Sequence, residues 1–516
     1  MMRLFLFVLL FALRPAAAAP VAFWVWHRGD PLREAEIAEL RRQEVRTVIW
    51  NVGEVEMRDG AWRWKARALD AARLGGPLHV VPVVRLSAET RKPFESAAWA
   101  KLGVQLRAVA TKDGELQVDF DCPDRLLAAY ADALAELRRA IPRLSITALG
   151  HWSTQPAFPA LQRSVSEITP MFYDMQADPT GVNADAPPPP LLDPAQVERA
   201  LRSWSACAIP WRAGLPSFAR LTVFDRAGMS RGQIPNWAWD DFCFHKSLHA
   251  LGPTRLGMTI FRTDADTRVA RTAVRDGEFI VSRFTDRTAL ARVAAIAHDA
   301  GAAGVTLFRL PDDTDPAGAS LSDLGRLATN EKPHLALRWK SAEQLELVND
   351  SPVDLIPRLA GAKDDRDRGY ALELDAPAPI FREALAGEFW RVTAHTQPDS
   401  PKPQPAPVQI ATRLTFWFSH LRAGAALRSG LLQTAPAASI DGLRYRILNA
   451  KGTSSWTALI PKRFQDESPI NTGLQPGECA SECDATASAV LSGSREAVET
   501  AGRYTPPPHR AKARCE

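Results

Sequence analysis

The segment LQVDFDCP, residues 116–123, places two aspartates in an otherwise apolar run. In an extended strand alternate side chains share a face, so Gln117, Asp119 and Asp121 would point the same way. Two carboxyl groups this close repel each other, which raises the pKa of at least one of them. A carboxyl group that stays protonated near neutral pH can act as a general acid. The spacing therefore predicts an acid–base pair, unless Asp121 caps the next helix and Asp119 pairs with an arginine such as Arg85.

A second apolar run, MFYDM, contains a tyrosine followed by an aspartate, Tyr173 and Asp174. A hydroxyl and a carboxylate beside a sugar ring can bind its substituents and stabilise a positive charge that develops on the ring. The alternative is a core tyrosine beside an aspartate that caps a helix. Glu54, in VIWNVGEVE, is a further carboxylate that could take part.

Further polar and aromatic groups that could bind a ligand stand at the ends of apolar runs: Arg28, Arg85, His151, Trp152 and Arg309, with Gln117 beside the aspartate pair. Indole faces stack on the apolar faces of sugars. We expect Trp152 to be accessible, as well as Trp237 and Trp239 in the polar segment PNWAWDD. Trp24 and Trp26 are expected in the core.

The pair His245 and His249 has the i, i+4 spacing of zinc ligands on a helix. Lys246 stands where the metalloprotease motif needs a glutamate, so an ordinary helical histidine pair is the preferred interpretation. The cysteine spacing also does not fit a zinc site, although Cys207 and Cys243 could form a disulfide. We predict no metal site and no cofactor.

These residues are carried by short β-rich apolar runs that alternate with helical segments. We predict eight strands, over residues 21–28, 45–51, 78–86, 115–121, 144–152, 167–175, 210–218 and 304–310. Eight strand–helix units in about 300 residues are typical of an α/β protein with a TIM (β/α)8 barrel. An open doubly wound sheet is disfavoured because no glycine-rich phosphate turn follows the first strand. In a TIM barrel the functional side chains lie at the carboxyl ends of the strands, where the residues above are found.

The domain boundaries follow from changes in composition and in apolar periodicity along the chain. We expect the barrel over residues 20–333, with a long insertion over 219–286. Residues 334–432 alternate apolar and polar positions and predict a small all-β, sandwich-like domain. Residues 433–516 lack periodicity and predict a poorly ordered C-terminal tail.

Residues 1–19 resemble a signal peptide, because Arg3 precedes the apolar run LFLFVLLFAL and small residues follow at 16–19. We therefore expect an exported protein, periplasmic or secreted, with no transmembrane segment after cleavage of the signal peptide. The 63 basic and 59 acidic residues are interspersed, with a net charge of +4, which gives no basic stripe for nucleic acid.

The ordered set VIWNVGEVE, VPVVRL, LQVDFDCP, LSITALGHW, EITPMFYDM, RAGLPSF and GVTLFRLP resembles the bacterial family named domain of unknown function 3142, over about residues 20–330. This family has no established activity, so the resemblance implies a fold and not a reaction.

A more distant resemblance is to family 18 glycoside hydrolases, the chitinase-like barrels. Their fourth strand carries DxxDxDxE, which Asp119 and Asp121 match at the last two aspartates, and their sixth carries a Tyr-Asp pair like Tyr173 and Asp174. The match puts Leu116 at the first aspartate and Pro123 at the catalytic glutamate. Because proline cannot protonate a leaving oxygen, the resemblance does not imply chitinase-type substrate-assisted hydrolysis.

The leading prediction is a glycoside hydrolase-like protein that acts on, or binds, an extracellular or periplasmic glycan. Asp121 would be the acid, Asp119 its tuning partner, and Asp174 with Tyr173 would stabilise the sugar cation, with Glu54 as the reserve carboxylate. Two alternatives stay open: a non-catalytic carbohydrate-binding barrel, favoured by Pro123, and an envelope scaffold whose β domain docks to an assembly. A carbohydrate is the expected ligand, and the sequence leaves the protein partners open.

Overall fold

The computed structural model describes residues 20–65, 68–88, 93–183, 185–252, 255–285, 287–311, 317–327, 331–357, 369–396, 404–435, 442–448 and 455–459. The chain divides into two units, residues 1–460 and 461–516, and every described residue belongs to the first. The predicted signal peptide, 1–19, and the predicted tail from residue 460 onward lie outside the described residues.

The first part of the described chain contains sixteen strands and eight helices. In chain order they are β1 (Val21–Val25), α1 (Glu34–Arg42), β2 (Thr47–Arg58), β3 (Ala61–Trp64), β4 (His79–Ala88), α2 (Ser96–Val109), β5 (Glu115–Asp119), α3 (Leu127–Ala140), β6 (Arg143–Leu149), α4 (Phe158–Ser164), β7 (Glu167–Met171), α5 (Pro194–Trp204), β8 (Arg212–Pro216), β9 (Ala219–Phe224), β10 (Ser230–Gln233), α6 (Trp239–Cys243), β11 (Leu248–Ala250), β12 (Met258–Thr263), β13 (Thr267–Val269), β14 (Thr272–Val274), β15 (Phe279–Phe284), α7 (Arg287–Asp299), β16 (Gly304–Phe308) and α8 (Leu321–Leu324).

Eight of these strands form a closed parallel barrel. The neighbours run β1, β2, β4, β5, β6, β7, β8 and β16, and β16 pairs in turn with β1. Each barrel strand overlaps one of the eight predicted strands, so the predicted TIM barrel is confirmed. Strand β3 is an antiparallel addition at the end of β2.

Local sequence explains where the barrel helices begin and end. Asp193 caps α5, because its side chain accepts hydrogen bonds from the amides of Ala195 and Gln196, and Pro194 takes the first helical position. Helix α7 is followed by Gly301 at φ +91°, a conformation that favours glycine. Both helix ends thus lie where these residue types favour them.

The interior of the barrel is filled below its carboxyl end. The Trp24 indole N–H donates to Gln117 Oε1 at 2.7 Å, and the Gln117 amide donates to Thr169 Oγ1 at 3.4 Å. Gly214 on β8 leaves room for the indole, since a Cβ there would lie 2.8 Å from Trp24 Cη2. We call the layer of Trp24, Gln117 and Thr169 the barrel floor.

The β domain follows with eleven strands: β17 (Leu335–Ser341), β18 (Gln344–Asn349), β19 (Tyr370–Asp375), β20 (Phe381–Ala384), β21 (Arg391–Thr396), β22 (Gln404–Pro405), β23 (Arg413–Phe418), β24 (Ala426–Arg428), β25 (Leu432–Thr434), β26 (Arg444–Leu448) and β27 (Thr457–Ala458). They form a six-stranded antiparallel sheet, β22-β21-β23-β19-β26-β27, a three-stranded sheet and a two-stranded sheet around one apolar core. The all-β domain is thus confirmed, and its sheet includes β26 and β27, beyond the predicted boundary at residue 432.

The insertion between β8 and α7 is a small antiparallel sheet, β10-β9-β15-β12-β11, with the hairpin β13–β14 and helix α6. Its tryptophans, Trp237 and Trp239, are 6% and 3% exposed and share an apolar cluster with Trp417 of the β domain. The prediction that they are accessible is therefore wrong. The neighbouring residues in the sequence are polar, and the two indoles are buried by packing against the β domain, which lies much later in the chain.

The predicted helical histidine pair is also wrong, because α6 ends at Cys243 and His249 lies on strand β11. The His249 side chain contacts Asp264 at 2.7 Å, while His245 Nε2 lies 3.0 Å from the carbonyl oxygen of Arg268. Cys207 and Cys243 are free thiols. Within the part of the chain that the structure covers, no helix is both long enough and apolar enough to cross a membrane.

Candidate functional site

The polar side chains at the barrel mouth come from adjacent strands in register. Glu54 on β2 is the neighbour of Arg85 on β4, and Arg85 is the neighbour of Asp119 on β5. Alternation along β5 directs Leu116 and Val118 outward to the helices, so Asp119 faces the barrel axis above the floor. Three charged groups therefore lie side by side at the carboxyl end of the barrel.

Asp119 is the most perturbed group of this layer. Its side chain is 14% exposed, and Oδ1 accepts a 2.7 Å hydrogen bond from the Thr147 hydroxyl. The pKa of Asp119 is raised from 3.8 to about 6, first because burial disfavours the charged form and second because the Asp121 carboxylate lies nearby. The hydrogen bond from Thr147 and the charge of Arg85 lower this pKa, and Glu54 raises it.

Asp121 lies two residues beyond the end of β5 and is exposed. It caps no helix, because the short turn at residues 124–126 and helix α3 both begin without a side-chain cap. The raised pKa belongs to Asp119, the buried partner, whereas the sequence prediction gave the role of acid to Asp121. Burial, which spacing alone does not reveal, separates the two carboxyl groups.

An aromatic wall of four side chains, Trp26, Tyr173, Phe218 and Phe308, lines the mouth. The Tyr173 ring stacks on Phe308 with centroids 5.6 Å apart, and Trp26 and Phe218 approach Phe308 edge-on at 5.7 and 5.9 Å. The pKa of Tyr173 is raised well above its usual value by burial and then by the charges of Asp119 and Asp121. The Tyr173 ring therefore lies close to Asp119 and Asp121.

Asp174 does not face the aromatic wall freely. Its two carboxylate oxygens accept from Arg220 of β9 at 2.9 and 2.5 Å, and its backbone has φ +50°. A second pair, Arg283 with Asp178 at 2.8 Å, lies beside it. The prediction that Asp174 stabilises a sugar cation is corrected, because the arginine neutralises the carboxylate and ties it to the insertion.

Several predicted ligand-binding residues are engaged elsewhere. Arg28 binds both carboxylate oxygens of Glu36 on α1 at 2.8 Å. Gln117 is 1% exposed in the barrel floor, and Trp152 is fully buried against Tyr130. These three side chains are engaged in packing or in pairing within the chain. The predicted ligand contacts of all three are therefore wrong.

The remaining predicted residues lie near the rim. His151 contacts the Asp124 carboxylate at 2.9 Å and is about half exposed. Arg309 is half-buried, and its carbonyl oxygen accepts from the Ser217 hydroxyl at 2.8 Å. Glu54 pairs with Lys65 at 2.8 Å, so its charge is partly neutralised.

Thr147, Phe218 and Phe308 also belong to this site, although they were not predicted from the sequence. Thr147 could have been found, since it occupies an inward position of the alternating strand LSITALGHW. The two phenylalanines carry no chemical signal of their own, and only barrel closure brings them beside Tyr173. In the described ranges, no cluster of three or more His, Cys, Asp or Glu could hold a metal ion.

This arrangement can supply a proton beside an apolar ring surface. Asp119 is a carboxylic acid below about pH 6, and the aromatic wall stands next to it. Residues 69–232 match the family model described as Domain of unknown function (DUF3142). The DUF3142 match includes Asp119, Thr147 and Tyr173, and it confirms the predicted resemblance over these residues. A comparison with curated protein sequences gives no match.

Solved structures similar to the chain include three bacterial enzymes. A chitinase from Chromobacterium violaceum has 16% identity and a TM-score of 0.42, covering 61% of this chain and 100% of its own. A glycoside hydrolase family 18 N-acetylglucosaminidase from Paenibacillus barengoltzii has 15% identity and a TM-score of 0.41, covering 60% and 99%. The spore cortex-lytic enzyme of Bacillus megaterium has 12% identity and a TM-score of 0.40, covering 58% and 72%.

Proposed function

We propose that the barrel mouth binds a carbohydrate and hydrolyses a glycosidic bond, with Asp119 as the general acid. The observation that carries this proposal is the raised pKa of Asp119, about 6, in a side chain that also accepts a hydrogen bond from Thr147. A carboxyl group of this kind keeps its proton up to about pH 6 and can release it to a substrate oxygen.

Hydrolysis follows from two carboxyl groups with different environments. Asp119 transfers its proton to the glycosidic oxygen, the bond to the ring carbon breaks, and its electron pair leaves with the departing sugar. The Asp121 carboxylate stabilises the positive charge on the ring carbon. Water adds to that carbon and loses its proton to the Asp119 carboxylate, which restores the acid for the next cycle.

The aromatic wall would orient the sugar. The apolar face of a pyranose stacks on aromatic rings. Tyr173, Phe218 and Phe308 are each partly exposed in the mouth, so a ring can reach them. A substrate held there would lie beside the proton of Asp119.

The test is the substitution Asp119→Asn, assayed for new reducing ends on a panel of extracellular glycans. Loss of the acid should reduce turnover by about 100-fold or more, since a general acid contributes 10²–10⁴-fold. Asp132→Asn, on the exposed face of α3, is the matched control and should leave turnover unchanged. Unchanged turnover in the Asp119→Asn protein would refute the assignment.

Carbohydrate binding without cleavage is the second candidate. Pro123, at the position of the glutamate of the family 18 glycoside hydrolases, favours it. Binding of a glycan by the wild-type protein with no reducing ends released, and equal affinity in the Asp119→Asn variant, would support this alternative.

Export is part of the same proposal, because the glycan would be outside the cytoplasm. The motif for it is the apolar run at residues 4–13 that precedes the small residues at 16–19. Protein recovered from the periplasm or medium should begin at Pro20, as read by N-terminal sequencing. An intact N-terminus in the cytoplasmic fraction would contradict export.

A further inference from the structure

Arg85 lies between Glu54 and Asp119 in the register of the barrel strands. Its side chain is 35% exposed at the barrel mouth, and its Nε lies 3.9 Å from Asp119 Oδ2. This distance exceeds that of a hydrogen bond, which is 2.7–3.2 Å for N–H···O. Arg85 forms no hydrogen bond to any of the described residues, so its guanidinium N–H groups are available at the mouth.

The neighbouring carboxylates compensate for the charge of Arg85 only in part, through the 3.9 Å contact with Asp119. Asp119 Oδ1 is occupied by the Thr147 hydroxyl, and Glu54 is paired with Lys65 at 2.8 Å. When Asp119 carries the proton that an acid must donate, the nearest carboxyl group of Arg85 is neutral. The exposed Asp121 also acts on Asp119, and the charges of Asp121 and Asp174 act on Tyr173.

A guanidinium without hydrogen-bond partners prefers a carboxylate as its ligand. Its planar fork donates two parallel hydrogen bonds to a carboxylate, a geometry that a lysine or a hydroxyl cannot reproduce. Such a pair is stronger where the side chain is partly shielded from water than on an open surface. The charge of Arg85 also acts on the pKa of Tyr173, so the guanidinium lies close to the aromatic wall as well as to Asp119.

We infer that Arg85 recognises a carboxylate on the sugar, and that the substrate is an acidic glycan built from carboxylate-bearing residues. The inference rests on the proposed function and adds the charge of the substrate to it. Arg85 is a specificity-determining residue here. The acid group of the sugar supplies the counter-charge that protonated Asp119 does not.

The experiment compares uronic acid oligosaccharides with their methyl esters, which have the same backbone without the charge. Calorimetric affinities are measured with the Asp119→Asn protein, in which turnover is suppressed and the neighbour of Arg85 is neutral. The acid form should bind about tenfold or more tightly than the ester, as expected for a charge-assisted bidentate pair. The additional substitution Arg85→Met should abolish this difference, and Arg85→Lys should retain part of it.

Arg139→Met, at an exposed arginine on α3, is the matched control and should leave the preference intact. Thermal melting checks that the Arg85 variants fold, as expected for a side chain without hydrogen bonds. Equal affinity for acid and ester, a preference that survives Arg85→Met, or failure of every acidic oligosaccharide to bind would overturn the inference.

The outcome for hydrolysis is separate. Reducing ends released from acidic and neutral glycans at equal rates would preserve the proposed function and refute the role of Arg85. An acid preference without any reducing ends would preserve the role of Arg85 and refute hydrolysis.

Discussion

Asp119 and Asp121 stand two residues apart in the sequence, but only Asp119 is largely buried. Asp119 keeps its proton up to about pH 6, while Asp121, past the end of the strand, is exposed. The spacing in LQVDFDCP predicted mutual repulsion, and the structure shows the repulsion acting on Asp119. Which partner is buried depends on where β5 ends, and the sequence overestimated its length by two residues.

The raised pKa makes Asp119 a cost to folding at neutral pH. A carboxyl group whose folded pKa exceeds its unfolded value destabilises the protein increasingly between the two values, here between pH 3.8 and about 6. Asp119→Asn should therefore match the wild type at pH 3.5 and be more stable by about 3 kcal/mol at pH 7. Denaturant unfolding at both pH values measures this, with Asp132→Asn as the neutral control. A variant less stable than the wild type at pH 7 would contradict the pKa.

The hydrogen bond from Thr147 favours the charged form of Asp119. Removing the hydroxyl, in Thr147→Val, should raise the pKa of Asp119 above 6 and move the alkaline limb of the proposed hydrolysis to higher pH. Carbon NMR of the Asp119 carboxyl group follows the pKa directly, without a substrate. Ser145→Ala, an inward position one layer lower on the same strand, serves as the control. A pKa that falls in Thr147→Val would show that the hydroxyl does not act as a donor.

At the scale of elements, the insertion is joined to the loop after β7 by a bidentate pair. Arg220 on β9 holds Asp174, and Arg283 on the neighbouring strand holds Asp178. Barrel strands could be predicted from sequence because covering helices demand continuous apolar runs. The insertion could not, since its short strands find their partners through long-range antiparallel pairing.

Arg220→Met and Asp174→Asn should each lower the free energy of unfolding by about 1 kcal/mol, and the double variant should lose no more than either single one. A double-mutant cycle in urea measures the coupling. The exposed pair Arg226 and Asp276 offers the control, because Arg226→Met should change stability by less than about 0.5 kcal/mol. Additive losses for Arg220 and Asp174 would show that they do not act together.

At the scale of the whole molecule, the insertion connects the barrel to the β domain. Phe244 stacks on Trp390 at 4.3 Å, and the Ser419 hydroxyl donates to Asp240 at 2.5 Å. This contact explains why Trp237 and Trp239 are buried although their sequence surroundings are polar. Trp152 was misjudged for a more local reason, because β6 ends at Leu149 and the following turn places the indole under Tyr130.

The shared cluster should make the barrel and the β domain unfold together. Calorimetry should show one transition for the wild type, and Phe244→Ala should lower its stability by about 3–4 kcal/mol or separate the transition into two. Val104→Ala, at a side chain that is 74% exposed, should leave the transition unchanged. Two transitions in the wild type would mean that the contact carries little energy.

The barrel floor limits the path by which a ligand can enter and leave the site. Trp24, Gln117 and Thr169 are buried across the barrel axis, so the interior is closed below the mouth and no channel runs through the barrel. A long polymer cannot pass through the barrel from one side to the other. If the proposed hydrolysis takes place here, both fragments must leave through the opening by which the intact chain arrived. Slow departure of the fragment held nearest the floor would then limit the overall rate, and adding that fragment should inhibit competitively.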